Sequence, residues 1–145
     1  MKDQNFKNHA RYSKFHHFLI APLSALYFGW TLAKMDFATK DSSLQSIYLF
    51  LGAFLILLLP NLARVYALKL QNRIILNEMR SSYFHMTGST FEEKEKNLKL
   101  GQIIALRFAS DEEILPLMDK AIAEKLPAKE IKMQIKNWRG DYIRV

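Results

Sequence analysis

Apolar positions are unevenly spread along this chain. Residues 42–63, SSLQSIYLFLGAFLILLLPNLA, carry no charge, and neither do residues 18–33, FLIAPLSALYFGWTLA. Beyond Arg64 the pattern changes: apolar residues return three or four positions apart among frequent charges. The first pattern belongs to helices that are apolar all round, the second to helices that pack one face. Together they predict an all-α chain. A two-helix transmembrane hairpin comes first, its second span continues into a cytoplasmic stalk helix, and a small helical domain follows. The expected segments are a basic leader over 1–17, the hairpin over 18–63 with spans of about 18–35 and 43–63, the stalk over 64–88 and the helical domain over 89–145.

Length supports the spans. About 20 apolar residues cross a hydrocarbon layer of about 30 Å, and an isolated segment satisfies its backbone there only as a helix. Residues 42–63 reach that length. Residues 18–33 give roughly 24 Å of helix, which His16, His17 and Met35 extend, while Lys34 can snorkel to the interface. Tyr27 and Trp30 sit toward one end, as an interfacial aromatic belt requires, and Pro22 belongs near the helix start or kinks its first turns. A cleavable signal is the lesser reading, because Thr31 at the −3 position makes Thr31-Leu32-Ala33 a poor cleavage site and the leader before the run is long. Lys2, Lys7, Arg11 and Lys14 precede the first span. Arg64, Lys69, Arg73 and Arg80 follow the second, whereas Lys34 and Lys40 in the connection are offset by Asp36 and Asp41. The positive-inside rule then places both termini in the cytoplasm.

Pro60 falls near the end of the second run. A kink is expected there, with Asn61 helping to satisfy backbone groups the proline frees. Past it, no glycine or proline interrupts a helical pattern until Gly88, a C-terminal cap. Leu68, Ile75, Met79 and Met86 recur on one face and form a packing or partner stripe, with packing on the chain's own C-terminal part preferred over a coiled-coil seam. Arg64, Lys69 and Arg73 lie off that stripe and are assigned to anionic lipid headgroups, each contributing on the order of 1 kcal/mol near the surface. Further on, Ser89 or Thr90 with Glu92 or Glu93, and Ser110 with Glu113, spell capping boxes. Glu92–Lys96 and Glu95–Lys99 are candidate i,i+4 pairs. Pro127 opens a last helix whose buried face is Ile131, Ile135 and Trp138, ended by Gly140.

Composition removes several chemistries. The chain of 145 residues has no cysteine, so disulfides, thiolate metal sites and cysteine nucleophiles are excluded. Its net charge of +7 suits anionic lipid or nucleic acid without requiring either. No phosphate-binding or dinucleotide glycine pattern occurs. His9, His16, His17 and His85 show no ligand spacing. Asp111, Glu112 and Glu113 are explained by the first turn of a helix, and Arg139-Gly140-Asp141 by a helix end. No catalytic residue, metal or cofactor is therefore expected. Lys125, Lys129, Lys132 and Lys136 with Trp138 make nucleic acid an alternative partner, disfavoured because Glu124 and Glu130 interrupt the row.

The stretches YALKLQNRIILNEMR and LGQIIALRFASDEEI, followed by LPAKEIKMQIKNWRGDYIRV and preceded by KDQNFKNHARY, resemble one family. It is an uncharacterised, domain-of-unknown-function family of small two-span bacterial membrane proteins associated with Bacteroidota. The resemblance covers nearly the whole chain. It implies a bacterial inner membrane, a hairpin and a helical cytoplasmic part, and no reaction. The expected function is that of a non-enzymatic inner-membrane accessory or scaffold protein, contacting lipid and either another protein or its own copies. The alternative is a membrane-tethered nucleic-acid or ribosome binder.

Overall fold

A computed structural model describes residues 4–6, 8 and 13–141. These are helical almost throughout, with six α-helices: α1 (Ala21–Ala33), α2 (Lys40–Thr87), α3 (Glu92–Lys96), α4 (Leu100–Leu106), α5 (Asp111–Ala123) and α6 (Ala128–Gln134). The described residues fall into two units, 13–68 in one, and 4–6, 8 and 69–141 in the other. The 48-residue α2 contributes to both.

In the first unit the backbone is helical from residue 14 to residue 33, roughly 30 Å at 1.5 Å per residue. His16–Ile20 is a wide π-type turn whose last bond runs from the Ala21 N–H to the His16 carbonyl. Pro22 follows immediately. A proline ring crowds the carbonyl one turn back, and widening that turn makes room for it. The pattern of burial runs opposite to that of a water-soluble core. Ser24, Thr31, Ser46 and Ala53 are buried, while Phe18, Leu23, Leu26, Trp30, Tyr48 and Leu59 are more than half exposed. The buried residues share faces: 24 and 31 flank Phe28 on α1, and 46 and 53 flank Phe50 on α2. Phe28 meets Phe50 and Phe54 at ring centroid distances of 5.6 and 6.0 Å. Ser46 Oγ donates to the Asp36 carbonyl at 3.0 Å and accepts from the Asp36 N–H at 2.9 Å. Pairing 36 with 46, and 28 with 50 and 54, is the register of antiparallel neighbours.

The start of α2 is local chemistry. Thr39 and Ser42 exchange bonds, the Ser42 N–H to Thr39 Oγ1 at 3.1 Å and the Thr39 N–H to Ser42 Oγ at 3.0 Å. That is a capping box with serine in the usual place of glutamate. The helix continues without interruption through Pro60. Asn61 Nδ2 donates to the Leu57 carbonyl at 2.7 Å. That carbonyl is the acceptor of the next backbone bond after the one proline abolishes, so the side chain reinforces the weakened turn. Helix α2 ends at Gly88, whose φ of 69° is the left-handed value glycine adopts without Cβ strain.

In the second unit, Met79 and Tyr83 of α2 join Phe91, Ile103, Leu106, Phe108, Met118 and Ile131 in one core, with Met86 and Trp138 packed at its edge. Several local expectations fail here. Neither expected capping box forms: the N-cap of α3 is Phe91, and Ser110 makes no side-chain cap bond to α5. The last helix stops at Gln134, earlier than the pattern predicts, because Ile135 turns extended. Trp138 reaches the core from a β-bridge to Ala109, in which Arg139 N–H donates to the Phe108 carbonyl and Ser110 N–H to the Asn137 carbonyl. Lys125 holds φ 52° after α5, and the Leu126 N–H closes back on the Ala121 carbonyl at 3.1 Å. This is a Schellman stop made without glycine.

Candidate functional site

The residues singled out along α2 separate by face. Ile75 and Met79 are buried at 2% and 3% exposure and Met86 is half-buried, whereas Leu68 is 38% exposed. Among the three cations assigned to headgroups, Lys69 and Arg73 are exposed and Arg64 is half-buried. Arg80, the next cation along, serves the fold. Its Nε and Nη2 donate to the two carboxylate oxygens of Glu95 at 2.8 and 2.7 Å. The guanidinium bond holds the Glu95 carboxyl below the usual carboxylate range and raises Arg80 in return. The Glu95–Lys99 pair of the helical pattern is thus replaced by a tertiary one. Lys94 likewise leaves its own helix for Asp119 at 2.6 Å, and that hydrogen bond raises its pKa.

The acidic cluster opening α5 is divided among neighbours. Asp111 accepts from Arg139 at 3.2 Å. Glu113 Oε2 accepts the backbone N–H groups of Lys136 and Asn137, both at 3.1 Å. Asp141 pairs with Arg107. The Arg-Gly-Asp sequence is therefore bound into its own unit, with both charges facing partners from the α4–α5 region. A groove of about 580 Å³ lies beside it, lined among others by Glu78, Ser81, His85, Arg107 and Asp141.

His85 lines this groove with Ser81 and Ser82, types needed for nucleophilic chemistry, and the Ser81 hydroxyl is the one near its Nδ1. Their geometry argues against it. His85 Nδ1 lies 2.7 Å from the Ser81 carbonyl oxygen, a pure acceptor, so that nitrogen carries the proton. It cannot also take a proton from Ser81 Oγ, 3.5 Å away. His16 and His17 meet edge to face at 5.2 Å, and His17 Nδ1 bonds the Ser13 carbonyl. His9 lies outside the described residues. Among the described residues no group of three or more His, Asp or Glu is placed to hold a metal ion.

The lysine row does not share a single helix. Of Lys125, Lys129, Lys132 and Lys136, only Lys129 and Lys132 lie within α6, and Lys132 Nζ sits 5.7 Å over the Phe108 ring. What the pattern did not single out is the pair Tyr48 and Tyr66, 72% and 59% exposed and 18 residues apart on α2. Their place near the two ends of an uncharged run was the available signal.

No curated protein and no solved structure matches this chain. A family model does, over residues 1–145, and the chain belongs to that family, a family of unknown function (DUF6526).

Proposed function

We propose that this protein is a non-enzymatic accessory or scaffold protein of a bacterial inner membrane, anchored by two spans and presenting its helical unit to protein partners in the cytoplasm. The observation that carries the reading is the inverted burial of residues 13–68. Serine, threonine and alanine side chains are buried at the helix contact around one phenylalanine cluster, and most leucines, with Phe18, Trp30 and Tyr48, face outward. Water would penalise that arrangement by about 1.5–3 kcal/mol for each large side chain left out. Lipid does not, and helices in lipid pack on small and hydroxyl residues. Of the most apolar 18-residue window of α2, 11% is buried, which suits a helix facing lipid better than a soluble core helix.

Tyr48 and Tyr66 stand about 27 Å apart along α2 at 1.5 Å per residue. That separation approximates the hydrocarbon thickness and supports reading them as belts at the two interfaces. By the antiparallel register Trp30 comes near the level of Tyr48, with Lys34 Nζ 5.6 Å over its ring. The cations Arg64 and Lys69 straddle the Tyr66 level, where anionic headgroups lie, and Arg73 stands about 11 Å beyond it along α2.

The test combines extraction with labelling, using spheroplasts of a bacterial host. The protein resists alkaline carbonate. A cysteine placed at Ala38 reacts with an impermeant maleimide from outside, and one at Thr90 reacts only after lysis. Release by carbonate, or labelling of both sites from one side, overturns the two-span reading.

A further inference from the structure

Among the described residues, the outward face of α2 in the second unit is unpartnered, and it is patterned. Leu70, Ile74 and Phe84 are 60%, 50% and 55% exposed. With Asn77 and Ser81 they repeat at intervals of four, three, four and three residues, the spacing of a coiled-coil seam. At 100° per residue the five fall within about 80° of arc. That arc lies opposite the one holding Ile75, Met79, Tyr83 and Met86, which face the unit's own core. Core packing therefore consumes one side of the helix and, among the described residues, leaves this side exposed.

We infer that this face binds a second copy of the same chain, α2 against α2 in parallel. Charge and register select this occupant. Flanking the seam, Arg73 and Glu78 stand five residues apart on opposite sides, at the positions that face each other across a parallel two-stranded coil. Neither makes an ion pair among the described residues. In the parallel dimer each is placed to meet its opposite charge on the other copy, twice by symmetry. Arg80, at the next such position, already holds Glu95. Asn77, a single amide in the middle of the seam, faces its symmetry mate. Two heptads are short for a free coiled coil. The inference rests on the membrane reading here: confinement to one bilayer in one orientation raises the effective concentration and makes the helices parallel.

Because the chain has no cysteine, single cysteines report cleanly. They are placed one at a time at Leu70, Arg73, Ile74, Asn77, Ser81, Phe84 and, as an exposed position on another helix, Met133. The full-length protein is oxidised with copper phenanthroline in native membranes. A disulfide-linked dimer is expected at 70, 74, 77, 81 and 84, and not at 73 or 133. Like-with-like bonds at both 70 and 84 require parallel helices, since an antiparallel pair juxtaposes 70 with 84. In the Ile74→Cys background, Arg73→Glu should abolish most of the dimer band and adding Glu78→Arg should restore it. Absence of this periodicity in carbonate-resistant membranes overturns the dimer while leaving the membrane reading intact. An adduct of foreign mass at these positions also overturns it, because another protein then covers the face. Periodic dimers from a carbonate-soluble protein uphold the seam and overturn the membrane reading instead.

Discussion

Glu95 shows how one side chain leaves the role its local sequence suggests. Its spacing to Lys99 fits a helical pair, yet Arg80 takes both carboxylate oxygens. A fork-shaped guanidinium matches a carboxylate better than an ammonium does. Both partners are partly solvated, so the pair contributes no more than about 1 kcal/mol. The sign follows from the lowered carboxyl pKa. The contribution is present above the ordinary carboxylate range and is lost as pH falls through Glu95's own pKa. Thermal midpoints of the detergent-solubilised protein, followed by circular dichroism across acidic pH, should decline less steeply in Glu95→Gln than in the parent. A second residue-scale prediction concerns Lys125. A side chain at φ 52° carries Cβ strain that glycine escapes. Lys125→Gly should therefore raise stability, by about 0.5–1 kcal/mol after glycine's larger unfolded-state entropy is subtracted. Unchanged or lower stability by denaturant titration would contradict the strain argument.

At the scale of elements, the segment after α6 behaves as a strap. Extended from Ile135, it is held by the β-bridge at Ala109, the ring contact of Trp138 with Phe108 at 5.2 Å, and the two N–H bonds accepted by Glu113. Glu113 thus holds a segment 23 residues away and not its own helix start. Removing it leaves two backbone donors without their acceptor, at about 1–3 kcal/mol in total if they stay shielded. Glu113→Ala should speed amide hydrogen exchange at Lys136, Asn137 and Arg139, while Glu113→Gln, which keeps a carbonyl acceptor, should do so less. Equal exchange in all three proteins would show that the bridge alone holds the strap. Helix α2 offers the opposite case, an element whose ends are local. The Thr39–Ser42 box starts it and Gly88 stops it, and a proline in the middle does not interrupt it.

For the whole molecule, adjacent residues Ile74 and Ile75 separate folding from assembly. Ile75 is 2% exposed and Ile74 is 50% exposed. Ile75→Asp removes a buried side chain and strands a carboxylate in apolar surroundings, which should cost several kcal/mol and unfold the unit. Ile74→Asp should leave the thermal midpoint nearly unchanged, and should abolish the disulfide dimer of a Leu70→Cys background. Loss of folding in both variants would mean that the outward face supports the fold itself.

What the sequence by itself determined is what depends on neighbours a few positions apart. The all-helical class, the long apolar helix through residues 42–63 and its stop at Gly88 follow from uninterrupted apolar runs, periodicity and one left-handed turn. Ile131 was legible as a core residue for the same reason, whereas Ile135 is buried from an extended position beyond the helix end. Tertiary structure decided the rest. Leu68 and Ile75 share a helical face in the pattern, yet only Ile75 has a core beside it. Capping boxes at Ser89 or Thr90 and at Ser110 are locally sound, but the first helix starts later, from a Phe91 N-cap, and Glu113 of the second reaches the strap instead. A side chain's local bond and its distant one have similar free energies, and which forms depends on what the fold brings within reach. Periodicity likewise shows that a helix has an apolar face, but only the packed chain shows which face remains uncovered.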